Sequence, residues 1–194
     1  MAGSDLIWFG VEDKKLALAF NETRDLFAMA PDPGEPGAAA SDENVARLFA
    51  DTHGQYYFNA LLDRSRLSSS ELAKTLWECV WQGRVTNDTF GALRRGIQSG
   101  YRVKDPVQSP GRSRRLTFNA WKSTRAYPGS WRVLSPVEPP GDLIDAEELN
   151  KERVRVLLGR YGVLFRELLA RELPPMRWGA LFRTLRRMEL SGEV

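Results

Sequence analysis

Trp81-Gln82-Gly83-Arg84-Val85-Thr86-Asn87-Asp88-Thr89-Phe90 reads as the end of one helix, a turn, and the start of another. Upstream, Leu72, Leu76, Cys79 and Val80 recur at i, i+4, i+7 and i+8, one face of a helix. Ser68-Ser69-Ser70 opens that helix, Trp77 and Trp81 widen its apolar face, and Gly83 ends it. Downstream, Thr86 or Asn87 can cap free amides, and Asp88 complements the positive end of the helix dipole. Phe90, Leu93 and Ile97 are expected to face inward, with Arg95 nearly opposite and Asn87, Arg94 and Gln98 on the flank. Two helices joined by a short turn, the second cationic outside, predict a helix-turn-helix whose second helix can enter a major groove. Ordinary helical hairpins with exposed arginines give the same pattern, so the surrounding sequence has to decide.

Beyond the second helix runs a basic stretch over residues 100–130, broken by Pro and Gly and ending in the strand-like Trp131-Arg132-Val133-Leu134. A helix-turn-helix with a basic hairpin after it is a winged helix. Within the stretch, Arg112, Arg114, Arg115, Lys122 and Arg125 surround Phe118, Trp121 and Tyr127, the mixture that a nucleic-acid groove uses for phosphate contact and base stacking. Packing of the wing on its own helices accounts for those aromatics equally well. The net charge of +3 hides a strong asymmetry: residues 1–93 carry 8 Lys+Arg against 14 Asp+Glu, whereas residues 94–134 carry 10 against Asp105 alone. Residues 151–187 repeat the bias, with 10 Lys+Arg, all arginine but Lys151, against Glu152, Glu167 and Glu172. Arginine forks bidentately onto phosphate, so such clusters point to nucleic acid; solvated basic helix faces are the plain alternative.

Further out, residues 6–9 and 16–20 are short apolar runs joined by Gly10-Val11-Glu12-Asp13-Lys14-Lys15, a hairpin signature. A lone hairpin is marginal in water, so residues 1–30 are expected to be the closing β-hairpin of a preceding winged-helix domain. Met1-Ala2-Gly3-Ser4 reads as an added leader, and the chain as a piece of a longer protein. Residues 31–41, with Pro31, Pro33 and Pro36, form a linker. Residues 42–134 form a winged-helix-like module, opening at Ser41-Asp42-Glu43 and including Tyr56-Tyr57-Phe58 and Leu61-Leu62. Residues 135–145, with Pro136, Pro139 and Pro140, are a second linker. Residues 146–194 read as a truncated module of three helices, 146–160 with Val154, Leu157, Leu158 and Tyr161 in register, 163–172, and 176–190. In the last, Trp178, Leu181, Phe182, Leu185 and Met188 form the expected buried face, and Arg183 and Arg187 point away. The fold class is therefore mainly α with small β wings (α+β), a tandem of winged-helix or helix-turn-helix modules.

The 42% of hydrophobic residues suffices for real cores. No apolar run is long enough to span a membrane and no signal peptide stands at the front, so no membrane partner and a cytoplasmic location are expected. A single cysteine, Cys79, allows no internal disulfide and is expected in a helix core. With His53 the one histidine, no Cys/His set can hold zinc, and His53 reads as a residue near a helix end rather than a catalyst.

The ten-residue stretch, with Leu93-Arg94 after it, resembles the W-x-G-x-V-T-N-D-T-F motif of Lhr-type helicases. Leu157-Leu158-Gly159-Arg160-Tyr161-Gly162-Val163-Leu164, continuing through Arg166-Glu167, is similar to their L-L-x-R-Y-G-V segment. Trp131-Arg132-Val133-Leu134, and Phe182-Arg183-Thr184-Leu185 through Met188-Glu189 and Gly192, fit their strand after the basic loop and their closing helix. The resemblance implies the region C-terminal to the motor of a superfamily 2, ATP-dependent 3′–5′ helicase acting on DNA and RNA:DNA hybrids in repair. Its implied partners are DNA, single-stranded or as RNA:DNA hybrid, and the RecA-like motor domains of the same parent chain, with oligomerisation open. No G-x-x-x-x-G-K-[ST] loop occurs, so no cofactor is expected here, ATP and Mg belonging to the motor. The candidate nucleic-acid-binding residues are Thr86, Asn87, Thr89, Arg94, Arg95, Gln98, Arg102, Lys104, Arg112, Arg114, Arg115, Trp121, Lys122, Arg125, Arg183 and Arg187. Two other readings stay open: a base-flipping glycosylase module, for which no catalytic acid can be named because Glu78 and Asp88 read as helix surface and dipole partner, and a structural or oligomerising brace.

Overall fold

The computed structural model describes residues 6–28, 38–103 and 127–194, residues 38–41 in backbone alone. The elements are β1 (Leu6–Glu12), β2 (Lys15–Phe20), α1 (Arg24–Phe27), α2 (Ala38–Leu48), β3 (Tyr56–Tyr57), α3 (Phe58–Ser65), α4 (Ser69–Trp81), β4 (Val85–Asn87), α5 (Phe90–Ser99), β5 (Ser130–Val133), α6 (Leu143–Tyr161), α7 (Arg166–Leu169) and α8 (Trp178–Ser191). They form two compact units: the described residues of Ile7–Leu18 and Asp32–Ser135 make one, and those of Met1–Leu6, Ala19–Pro31 and Pro136–Val194 the other.

In the first unit, β5 lies between β3 and β4 and is antiparallel to both. The register sets Tyr56 opposite Trp131 and Val85 opposite Val133. Helix, strand, two helices, strand and returning central strand is the order of a winged helix, and this topology moves the helix-turn-helix. Only Arg66-Leu67-Ser68 connect α3 to α4, with Arg66 in the left-handed region at φ 57. Between α4 and α5 stands the strand β4. The sequence pairing of α4 with α5 is thus corrected: α4 is the third helix of the motif, and α5 stands between β4 and β5 in the chain. Physically, Val85 and Thr86 are β-branched and favour the pleated backbone, and all three β4 residues are buried. The start of α4 is as read, Ser68 forming a capping box with Glu71. The start of α5 is not: its cap is Thr89, whose side chain accepts from the Ala92 amide.

The core of this unit is aromatic. Trp77 is stacked with Trp8 and Trp81 at centroid separations of 5.8 and 5.3 Å, and Tyr101, Tyr127 and Trp131 meet it edge-on. Leu72, Leu76, Cys79 and Val80 are fully buried as the periodicity required. The hairpin β1–β2 belongs here through residues 7–18, its Trp8 inside this core and Gly10 against the α4 backbone, where a Cβ would lie 2.0 Å from the Val80 carbonyl oxygen. Within this chain the hairpin therefore completes the downstream module. α2 starts at Ala38, earlier than the expected Ser41.

The second unit packs α6, α7 and α8 around Val154, Leu157, Leu169, Met176, Leu181 and Met188, with Leu26 and Phe27 beside them. Arg153 ties α1 to α6 by donating to the Leu26 carbonyl at 2.9 Å, and burial lowers the pKa of its guanidinium. The middle helix expected over 163–172 is short: Leu164 and Phe165 precede it outside any helix, and Pro174 and Pro175 turn the chain afterwards. In α8, Leu181 and Met188 are buried as expected; Phe182 is 43% exposed, and Thr184 takes an inward place instead.

Candidate nucleic-acid interface

The candidate residues sort into three groups. Thr86 and Asn87 are corrected outright. They are 1% and 2% exposed, and both side chains are spent inside the fold. Thr86 Oγ1 donates to the Trp8 carbonyl at 2.6 Å, fixing the hairpin onto β4. Asn87 Nδ2 donates to the Pro128 carbonyl at 3.1 Å, while its Oδ1 accepts from the Thr89 amide and hydroxyl, both at 2.9 Å. Asp88 is not the helix-dipole partner expected of it: it accepts from the Ser130 amide and hydroxyl, both at 2.8 Å. Gly129 passes so close, at φ +78, that a Cβ there would lie 2.3 Å from Asp88 Oδ1. The motif Thr86-Asn87-Asp88-Thr89 is thus a latch holding the turn that leads into β5. Tyr127, at 3% exposure, packs against Phe58, Trp77 and Trp131, which settles its role as packing rather than stacking on a base. Burial raises the Tyr101 phenol pKa in the same cluster.

The second group lies on α5, which is turned relative to expectation. Ala92 and Gly96 are its buried residues, whereas Phe90 and Ile97 are 47% and 62% exposed. A Cβ at Gly96 would sit 2.5 Å from Trp77 Cζ2, so this side of the helix lies against the indole. Arg95 is consequently half-buried and engaged, not on the outer face. Arg94, Gln98 and Arg102 are exposed. The signal that the sequence reading missed is the pair of small residues Ala92 and Gly96, one turn apart. Lys104, Arg112, Arg114, Arg115, Trp121, Lys122 and Arg125, with the basic hairpin drawn through them, lie outside the described residues.

The third group is on α8. Arg183 points out with no partner among the described residues, and so does Arg186, which the sequence reading did not single out. Arg187 instead bridges Glu147 at 3.2 Å, and Thr184 Oγ1 donates to the other oxygen of that carboxylate at 3.1 Å. Of the other cations of this unit, Arg155 pairs with Glu152 and Glu193, Arg160 with Glu172, and Lys151 with Glu148 and Glu193, whereas Arg166 and Arg171 are exposed with no partner among the described residues. The outer face of α4 offers Glu71 and Glu78 against Lys74, itself paired with Glu78, so the third helix of the first motif lacks the cationic face of a groove reader. Among the described residues no helix is long and apolar enough to cross a membrane, and no acidic, His or Cys cluster could hold a metal.

Residues 144–194 match the family described as "Large helicase-related protein, winged-helix domain". The chain is 29% identical over 163 residues to a Mycolicibacterium smegmatis protein described as "Lhr helicase/ probable uracil glycosylase", covering 74% of this chain and 10% of that protein. It is 24% identical over 213 residues to the Escherichia coli "Lhr helicase/uracil glycosylase", covering 100% of this chain and 14% of that one. The resemblance to Lhr-type helicases and the α+β winged-helix class are thereby borne out. The chain is similar to a winged-helix region of such helicases and spans 10% and 14% of the length of these relatives.

Proposed function

We propose that the chain binds nucleic acid as an accessory region of an ATP-dependent 3′–5′ helicase or translocase that acts on DNA and RNA:DNA hybrids in repair. The observation that supports this best is the distribution of charge. Arg94, Arg102, Arg183 and Arg186 are exposed without a hydrogen-bonded or ion-paired partner among the described residues, as are Arg47, Arg64, Arg66, Arg166 and Arg171, while Arg153, Arg155, Arg160, Arg177 and Arg187 of the second unit are tied to a carboxylate or a carbonyl. The sequence between α5 and β5 adds further cations with hardly an acid among them. Free arginines on a module of this kind suit phosphate oxygens, which the guanidinium fork meets with two donors at once. ATP and magnesium belong to the RecA-like motor, and a cytoplasmic setting accords with that work. Because Thr86, Asn87 and Thr89 are structural, the contact surface is drawn from Arg94, Gln98, Arg102, Lys104, Arg112, Arg114, Arg115, Trp121, Lys122, Arg125, Arg183 and Arg186.

Fluorescence anisotropy with single-stranded, duplex and hybrid oligonucleotides at several salt concentrations tests the proposal. Affinity should fall with salt, and Arg183→Ala with Arg186→Ala should flatten the log-log slope by about 1.4 to 1.8 units, at roughly 0.7 to 0.9 per phosphate. Binding that ignores both salt and these substitutions would refute it. The names of the two relatives favour one second reading, removal of uracil from DNA. The carboxylates considered for it are engaged, Asp88 by Ser130 and Glu78 by Lys74. Release of base from a uracil-containing oligonucleotide would establish that reading.

A further inference from the structure

Most of the stretch over residues 81–90 is spent on folding: Trp81 stacks on Trp77, Thr86 is fixed to Trp8, and Asn87, Asp88 and Thr89 hold the turn into β5. Phe90 is left over. It is the first residue of α5, and Arg94 and Ile97 follow it at i+4 and i+7, so the three lie along one stripe of the helix. The opposite side carries Ala92 and Gly96, both buried, with Gly96 against the Trp77 indole. The stripe therefore faces away from the core: Phe90, Arg94 and Ile97 are all exposed, and so is Gln98 beside them.

A single exposed apolar side chain is ordinary; a phenyl ring and an isoleucine flanking an exposed arginine on one stripe make a surface of a particular kind. Its charge indicates the occupant. α5 carries two arginines and no carboxylate, Arg94 has no hydrogen-bonded or ion-paired partner among the described residues, and Arg102 follows exposed beyond the helix. α4 of the same unit instead presents Glu71 and Glu78. An aromatic face next to a cation is what a single-stranded nucleic acid meets with a base and a phosphate at once, whereas a duplex keeps its base faces inside the stack.

We propose that the outer face of α5 is a stacking site for single-stranded nucleic acid, with an unpaired base on Phe90, a phosphate on Arg94, and Ile97 extending the apolar surface. The proposal rests on the nucleic-acid reading above and specifies the form of the strand and the helix that holds it.

Fluorescence anisotropy of the whole chain with a thymidine oligonucleotide, and with an abasic strand of the same length and charge, separates stacking from phosphate contact. The parent should bind the base-bearing strand at least about fivefold more tightly than the abasic one. Phe90→Ala should abolish most of that preference without changing the salt slope, and Phe90→Trp should keep it. Arg94→Ala should weaken binding to both strands and flatten the log-log slope by about 0.7. A parent that treats the two strands alike, or a Phe90→Ala variant that retains the preference, would overturn the inference while salt-dependent binding upheld the nucleic-acid reading. Retained preference together with loss of self-association on sizing chromatography would assign the face to a second copy and overturn the inference too. Absence of salt-dependent binding to either strand would overturn both the inference and the reading beneath it.

Discussion

Thr86→Val separates a structural from a ligand-binding role at the position where sequence and structure disagree most. The hydroxyl is buried and donates to the Trp8 carbonyl. Valine keeps the shape and the β-branch, so no cavity opens and strand propensity is retained. What is lost is one hydrogen bond, worth about 0.5–1.5 kcal/mol net, together with about 1–3 kcal/mol if the carbonyl is left unsatisfied. A loss of about 1–3 kcal/mol in the first unit is expected. With a guanidinium m-value of roughly 2–6 kcal/mol/M for a unit of this size, the midpoint should fall by about 0.2–1.5 M. Four of the six tryptophans, Trp8, Trp77, Trp81 and Trp131, belong to this unit's core, so the emission change reports it, while Trp178 lies in the second. Oligonucleotide affinity, measured where the variant is fully folded, should equal that of the parent. A variant of unchanged midpoint that binds nucleic acid weakly would show that Thr86 meets the ligand and that its hydrogen bond contributes little.

Three further expectations rest on single contacts. Gly10→Ala places a Cβ 2.0 Å from the Val80 carbonyl oxygen and 2.6 Å from Trp81 Cα, and because backbone cannot rotate away, the hairpin should be pushed off α4 at a cost of about 1–3 kcal/mol or more; a denaturation curve overlaying the parent would contradict this. Asp88→Ala removes the side-chain acceptor of the Ser130 amide and leaves its hydroxyl only Gln55 Oε1 at 3.2 Å, at about 1.5–3 kcal/mol for each bond to a charged group, reduced by the exposure of the carboxylate. Faster amide exchange at Ser130 should accompany the drop, and a protected Ser130 amide would count against it. Glu193 has its pKa lowered by the Ser191 hydroxyl and then by Lys151 and Arg155. Its contribution to stability is present above the usual carboxylate range and disappears as pH falls through the depressed value in the folded unit, so Glu193→Gln should flatten the acid limb of the second unit's stability, read by Trp178 emission, and an unaltered limb would show the cluster to be inert.

The parts of the fold legible in the sequence are those written in long apolar periods. α4 and α8 each carry three turns or more of them; apart from Ala73 and Thr184 their buried residues lie on the expected faces, and Phe182 alone of the large residues placed there is exposed. β4 has three residues, too few for alternation to show, and its burial is decided by partners far along the chain: Trp8 for Thr86 and Pro128 for Asn87. A cap-like run of Thr-Asn-Asp-Thr therefore looked like the start of a helix, which it became only at Thr89. α5 was turned wrongly for a related reason. Its large residues Phe90 and Ile97 argue for burial by hydrophobicity, but Trp77 fills the space beneath the helix and admits only Ala92 and Gly96. In the candidate interface, charge excess was visible by counting, whereas which arginines are spent on carboxylates was not. Arg187 and Arg183 are four residues apart on one helix, and only a carboxylate on another, Glu147, distinguishes them.

Arg84 follows Gly83 after α4 and pairs with Asp42 on α2, whereas Glu193 follows Gly192 after α8 and pairs with Lys151 and Arg155 on α6; this reversed clasp offers the most direct test that the two units share one plan. Arg84 is largely buried, its side chain 16% exposed and its Nε without an acceptor among the described residues, and it meets Asp42, which is 59% exposed. The pair therefore lies between a surface bridge, worth about 0.2–1 kcal/mol, and a buried one whose disruption costs about 3–5 kcal/mol. Asp42→Lys and Arg84→Glu made singly place like charges together and should each cost about 1–2 kcal/mol. Combined, they recreate the polarity that the second unit already uses with Glu193 facing Lys151 and Arg155. The backbone at Arg84 is held independently, its amide by the Cys79 carbonyl and its carbonyl by the Leu134 amide, so the exchange of side chains need not move the chain. The double variant should recover most of the loss, giving a coupling energy of at least about 1 kcal/mol in a double-mutant cycle read by denaturation. Strict additivity would mean that Arg84 acts through packing of its aliphatic stem, and the reversal of charge between the units would then have no energetic content.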